Sequence, residues 1–286
     1  MRPTPSAIAS AFVAACREEL AAPKPGNVHV FAAGHGMTVD QFLTSADAAA
    51  TALATSGASV GARILDAISA TKVAVGCNTN LGIILLCAPL AAAAERGAGL
   101  RSALAEVLEE LTVEDAELAF EAIVLADPAG LGEADAHDVR APADCTLLEA
   151  MASAAARDRI AQAYADEFEE VFGPGLATLE EARARALCRW WPATAVYLAH
   201  MAAAPDSHIL RKHGPDVAGQ VRSQARAVLS EMLDLAEPEA ALDRLLALDR
   251  SLKDRGLNPG TCADLTVATL FADRLAALLK NAPGSG

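Results

Sequence analysis

Four short segments of this 286-residue chain gather residue types that could bind and process an anionic ligand. The first is Lys24-Pro25-Gly26-Asn27-Val28-His29. Pro23 and Pro25 stiffen the backbone around a cation, and Gly26 lets that backbone approach a ligand closely. The second, Asn78-Thr79-Asn80-Leu81-Gly82, precedes the most apolar stretch of the chain. Asn78 or Thr79 reads as an N-cap there, and unpaired N–H groups at such a helix start suit phosphate. The third, Asp206-Ser207-His208-Ile209-Leu210-Arg211-Lys212-His213-Gly214, is the densest basic cluster, with a carboxylate at its head. On a helix, Asp206 would share a face with Leu210, and His208 with Lys212. The fourth runs from Asn258 through Pro259 and Gly260 to Asp264. Asn258 reads as an N-cap, Pro259 as the first helical residue, and Asp264 as a carboxylate near the positive end of the helix dipole. Each segment also has a plain reading: a stiff loop, a cap, a solvated charge run, a helix start.

These segments need a scaffold, and the composition predicts a helical one. The chain is 53% hydrophobic and only 21% charged, which rules out a disordered polymer. Alternating β-branched runs and Asn-Gly or Asp-Gly turns between them are scarce, and alanine favours helix. The pattern predicts helices at 5–22, 38–56, 58–72, 79–96, 99–110, 113–127, 145–172, 176–203, 216–235, 238–254 and 259–280. An irregular link opens at Asp127-Pro128 and runs to about 144. With no repeat and no Gly- or Ser-rich hinge, the expectation is all-α, a single compact domain of about ten helices over 1–286. The stretch Leu81–Ala94 is too short to cross a bilayer and contains Pro89, so it reads as a core helix. The N-terminal run to Cys16 continues through Arg17, Glu18, Glu19 and Leu20 as an amphipathic helix rather than a leader. Six cysteines at 16, 77, 87, 145, 188 and 262 show no CxxC pairing, which suits reduced thiols and a cytoplasmic location.

The formal charge of −14 excludes a protein that coats nucleic acid. An anionic small molecule must then be met by a local cluster of the few cations.

The four segments, in this order, resemble the triphosphoribosyl-dephospho-CoA synthase family. Its members carry K-P-G-x-V-D, N-T-H-K-G, D-T-N-x-x-x-R-G-G and S-P-G-G-x-A-D-L motifs. The likeness runs from Lys24 to Asp264 and takes in Gly36-Met37 and Asp40-x-Phe42-x-x-Ser45-Ala46. Departures fall inside the motifs: His29 stands for Asp, Asn80-Leu81 for His-Lys, and His208, Arg211, Lys212 and His213 replace Asn, His, Arg and Gly. Thr261 and Cys262 replace small residues. The stretches Pro128–Gly132, Asp138-Val139, Thr146–Met151 and Arg157-Asp158 resemble a divergent branch found in methanogens and methylotrophs, among pterin-cofactor functions.

The resemblance implies an all-helical transferase. It would move the triphosphoribosyl unit of ATP, releasing adenine, to a hydroxyl of dephospho-CoA or, in the divergent branch, of a tetrahydromethanopterin precursor. Displacing a purine from a ribose C1′ passes through an oxocarbenium-like state. Lys24, Arg211 and Lys212, with Mg²⁺ held by Asp206 and Asp264, would bind the polyphosphate. Asp206, then Asp264, is the expected catalytic carboxylate. Gly26, Asn27, His29, Asn78, Thr79, Asn80, Gly82, Ser207, His208, His213 and Gly260 would position nucleotide and acceptor. Two other readings stand beside this one: a phosphoribosyl transferase using phosphoribosyl pyrophosphate, and an inactive nucleotide-binding protein, which Leu81 in place of the family lysine favours. Neither nucleic acid nor membrane is an expected partner, and a homo-oligomer stays open.

Overall fold

A computed structural model describes residues 2–97, 99–128, 137–185, 188–233 and 242–280. Every named element among them is helical: α1 (Pro5–Leu20), α2 (Val39–Leu53), α3 (Val60–Val75), α4 (Leu81–Arg96), α5 (Leu100–Glu109), α6 (Val113–Ala126), α7 (Leu147–Ala154), α8 (Arg159–Ala165), a π-helical turn (Val171–Gly175), α9 (Leu176–Ala184), α10 (Trp191–Ala203), α11 (Ser207–His213), α12 (Pro215–Leu233), α13 (Leu242–Asp254) and α14 (Gly260–Lys280). The chain is all-α, as the alanine-rich pattern predicts.

The count exceeds the ten expected because two long predicted helices are broken. The span 145–172 splits where Asp158 caps α8, its Oδ1 accepting Ile160 N–H at 2.8 Å and Ala161 N–H at 3.3 Å. It breaks again where Glu167 and Phe168 take positive φ. The span 176–203 splits before Pro192, which sits in the first turn of α10. The short α11, which the sequence left open between helix and loop, forms because Asp206 caps it. Part of the 127–144 link, the predicted end of one helix at 235 and the start of another at 238 lie outside the described residues.

The contacts divide the chain into two compact units. Unit 1 comprises Met1–Ala15, Gln41–Glu169 and Phe271–Gly286; unit 2 comprises Cys16–Asp40 and Glu170–Leu270.

Unit 1 is built on α4, whose residues are almost all buried, Ile83, Ile84, Leu85, Leu86, Cys87, Ala88 and Leu90 among them. Pro89 lies in its middle and has no N–H to give to the carbonyl four residues back, Leu85. Tyr164 of α8 fills that place, its hydroxyl donating to Leu85 O at 2.6 Å. Burial pushes the Tyr164 phenol far up, so it remains a donor. Helices α3 and α6 meet closely at Gly61, where a Cβ would lie 2.6 Å from Asp115 Cα. Asp115 uses one oxygen to accept Gly61 N–H at 2.7 Å and the other in a capping box with Thr112.

Unit 2 packs α10, α11, α12 and α13 around Trp191, Tyr197, Leu198, Met201, Val221 and Leu245. The loop Pro23–Pro25 offers carbonyls but few N–H groups, and α10 satisfies them. Thr194 Oγ1 donates to Pro23 O at 3.0 Å and Tyr197 OH to Pro25 O at 2.8 Å. The stiff loop of the first segment is thereby fixed on a buried helix.

Among the described residues no single helix is long and apolar enough to cross a membrane.

Candidate functional site

Three of the four segments converge in unit 2. Asn27 Nδ2 donates to Asn258 Oδ1 at 2.8 Å, joining the first to the fourth. Gly26 has φ +86°, and a Cβ there would lie 2.8 Å from Pro259 Cδ and 3.0 Å from Leu257 O. Only glycine meets both demands comfortably. The third segment touches the fourth at Gly260, where a Cβ would lie 2.9 Å from His208 Nδ1.

Asp206 ties these segments together. Its Oδ1 accepts His208 N–H at 2.9 Å and Ile209 N–H at 3.1 Å, capping α11. Its Oδ2 accepts Cys262 N–H at 2.9 Å, so the same carboxylate also caps the start of α14. Asp206 and Ser207 are buried. Asn258 does not cap α14 as expected, since its oxygen is turned to Asn27; the helix opens at Gly260 rather than Pro259. Asp264 is half-buried one turn inside α14, and its charge favours the ammonium of Lys24.

Lys24 is buried to 1% exposure and forms an ion pair with Glu19, with Asn27 Oδ1 accepting at 2.9 Å. Burial pushes Lys24 down and Glu19 up, each opposed by the attraction of its partner. The lysine therefore braces the loop from inside. Arg211, Lys212 and His213, on the last turn of α11, are exposed. Their field is felt by His208, held at about 4 first by burial and then by Lys212, Arg211, His35 and His213. Four basic side chains thus act on His208, which is neutral at pH 7.

Sequence reasoning missed four participants: Glu19, His35, Asp249 and Lys253. Asp249 accepts Gly26 N–H at 2.8 Å and Lys253 Nζ at 2.9 Å, and Lys253 also donates to Ala32 O at 3.0 Å. His29 is fully buried, with Nε2 3.3 Å from Asp249 Oδ1, and neither ring nitrogen makes a well-formed hydrogen bond. Burial is the main cause that pushes His29 down. A signal for Asp249 was present in the sequence: it falls four residues after Leu245 and three before Leu252, on the apolar stripe of α13. His35 sits between Gly34 and Gly36 at φ 56°, its Nε2 2.8 Å from Gly26 O.

The second segment belongs to unit 1. Asn78 Oδ1 accepts Leu81 N–H at 3.1 Å, so Asn78 performs the capping expected of it, while the residue flanking α4 is Asn80. Thr79 does not cap; its hydroxyl lies 2.6 Å from Ser45 Oγ. Asn80 is buried, donates to Thr71 Oγ1 at 3.0 Å and leaves its oxygen without a protein partner. Gly82 is half-buried in the first turn of α4.

Comparison with known proteins bears on this arrangement. The model of the family described as ATP:dephospho-CoA triphosphoribosyl transferase matches residues 5–283. A Pseudomonas putida protein named as a probable 2-(5''-triphosphoribosyl)-3'-dephosphocoenzyme-A synthase is 33% identical over 111 residues. That match spans 39% of this chain and 39% of the relative's own length. A crystal structure from Archaeoglobus fulgidus, assigned as a triphosphoribosyl-dephospho-CoA synthase, superposes with a TM-score of 0.63 at 22% identity. It covers 80% of this chain and 96% of that one, a likeness of fold.

Proposed function

The chain belongs to the ATP:dephospho-CoA triphosphoribosyl transferase family, and from that premise we propose that it moves the triphosphoribosyl unit of ATP to a hydroxyl of a small-molecule acceptor, releasing adenine. The observation that carries this reading is the junction of the first, third and fourth segments in unit 2, made by Asn27 with Asn258 and by Asp206 with Cys262. In the reaction the bond from C1′ to the purine nitrogen breaks, a bond from C1′ to the acceptor oxygen forms, and the acceptor's proton goes to a carboxylate.

The geometry supports a change in the order of the two carboxylates. Asp206 already accepts three backbone N–H bonds and holds two helix starts, which makes it a positioning residue. Asp264, half-buried beside the charge of Lys24, is the better candidate for the group that stabilises the oxocarbenium-like sugar and takes the proton. Arg211, Lys212 and His213, exposed on the last turn of α11, would meet phosphate oxygens in this reading. Mg²⁺ suits such a site because it takes one or two carboxylates together with phosphate oxygens, and Asp264 is the carboxylate we assign to it. Lys24 acts on the loop through Glu19 and Asn27 rather than as a direct phosphate ligand.

Two acceptors fit the reading: dephospho-CoA and a tetrahydromethanopterin precursor. The departures at His29, Asn80 and Leu81 favour keeping both in the test. Incubation with ATP and each acceptor in turn, with free adenine and the adduct followed by chromatography and mass spectrometry, separates them. Pyrophosphate released from phosphoribosyl pyrophosphate, with no adenine from ATP, would replace this donor by the other.

A further inference from the structure

Unit 1 holds a cluster that the four segments do not include. His137, Asp144 and Cys145 bring a nitrogen, a carboxylate oxygen and a sulfur within 4.8 Å of one another, the one such group of metal-binding type among the described residues. His137 Nδ1 lies 2.7 Å from Asp144 Oδ1 and 3.2 Å from Cys145 Sγ. Both contacts use the same ring nitrogen. A nucleophilic Cys–His–Asp relay needs the thiol on one nitrogen and the carboxylate on the other, so the geometry does not serve that chemistry.

Three donor atoms of different chemistry converging on one point match what a borderline-soft divalent cation takes. We propose that His137 Nδ1, Asp144 Oδ1 and Cys145 Sγ bind a transition metal of the zinc class, with a fourth position open to water. The set differs from the all-oxygen shell that Mg²⁺ prefers, so this site is separate in kind from that of the transferase reaction.

The surrounding backbone is ready for it. Ala143 N–H donates to Glu117 at 2.6 Å, Leu147 N–H to Thr112 O at 3.2 Å, and a capping box between Thr146 and Glu149 opens α7. Asp144 and Cys145 therefore sit on a framed segment. His137, at φ 53°, returns to them across a turn closed by Ala141 N–H and Asp138 O at 2.9 Å. The site is open to solvent, with side-chain exposures of 26% for His137 and 75% for Asp144. Tetrahedral zinc bonds place donor atoms about 3.3–3.7 Å apart, so the nitrogen and oxygen need to part by roughly half an ångström. Uptake balances simply: the metal–sulfur bond forms, the thiol proton leaves to solvent, and the imidazole proton moves from Nδ1 to Nε2.

The test uses the full chain, reduced and stripped of metal, titrated with Co²⁺ and then Zn²⁺. One equivalent of Co²⁺ should give thiolate-to-cobalt charge transfer and tetrahedral d–d absorption, displaced by Zn²⁺ with release of about one proton per metal. Cys145→Ser and His137→Asn should each weaken binding by at least about tenfold, whereas Cys77→Ser and Cys188→Ser leave the spectrum as it was. Circular dichroism of each variant checks that the helices persist. No charge transfer at one equivalent, or a band that survives Cys145→Ser in a folded protein, would overturn the assignment.

Discussion

Asp206 and Asp264 lie on joined segments of one unit, and in our proposal their surroundings give them different work. Replacing Asp206 by Asn keeps an oxygen for the α11 cap and presents an NH₂ to Cys262 N–H, leaving that buried donor unmet. Asp206→Asn should therefore lower stability by about 1–3 kcal/mol in urea unfolding. Asp264→Asn should keep the helical circular dichroism of the parent and lose adenine release by about a hundredfold or more. His208 gives a second test. Its folded value of about 4 lies below the ordinary 6.5, so between those pH values the unfolded chain holds a proton that the folded chain does not. Its contribution to stability is complete above about 6.5 and lost as pH falls toward 4. His208→Gln should flatten that part of the stability profile, and bound ATP should raise the His208 value as followed by NMR, because an anion offsets Lys212 and Arg211.

At the scale of the helix, two contacts show what propensity alone leaves out. Pro89 sits in α4 and frees the Leu85 carbonyl, which Tyr164 collects at 2.6 Å. Tyr164→Phe should cost about 1–3 kcal/mol, a loss that a simple change in hydrophobic area would not produce. Gly26, at φ +86° against Pro259 and Leu257, should tolerate no side chain; Gly26→Ala should destabilise by about 1–2 kcal/mol or more and raise the KM for ATP. The helix class and most helix boundaries were legible in the sequence because alanine-rich, Gly- and Pro-punctuated segments carry them locally. The breaks at 158 and near 167 were not, since Asp158 reads as an ordinary polar residue until its side chain is seen on Ile160 and Ala161. Nor was α11, where a run of His, Arg and Lys read equally well as loop.

At the scale of the whole molecule, the charge of −14 and the grouping of Arg211, Lys212 and His213 with His208 and His35 fit together. Excess acid keeps bulk polyanions away, while the run Arg211, Lys212 and His213 in unit 2 forms a local exception. The motif order pointed to four segments, of which unit 2 brings three together. It could not show that Lys24 is buried against Glu19, or that Asp249 and Lys253 of α13 hold the loop, because those partners lie far away in sequence or one turn back on a helix. One domain over 1–286 remains our proposal. The amount of free adenine formed from ATP by the purified chain with Mg²⁺ and each acceptor tests the proposed transfer most directly. One adenine per molecule of triphosphoribosylated product is expected, with strong loss of both in Asp264→Asn. Turnover that yields ADP or pyrophosphate with no adenine, or no product with either acceptor, would contradict it.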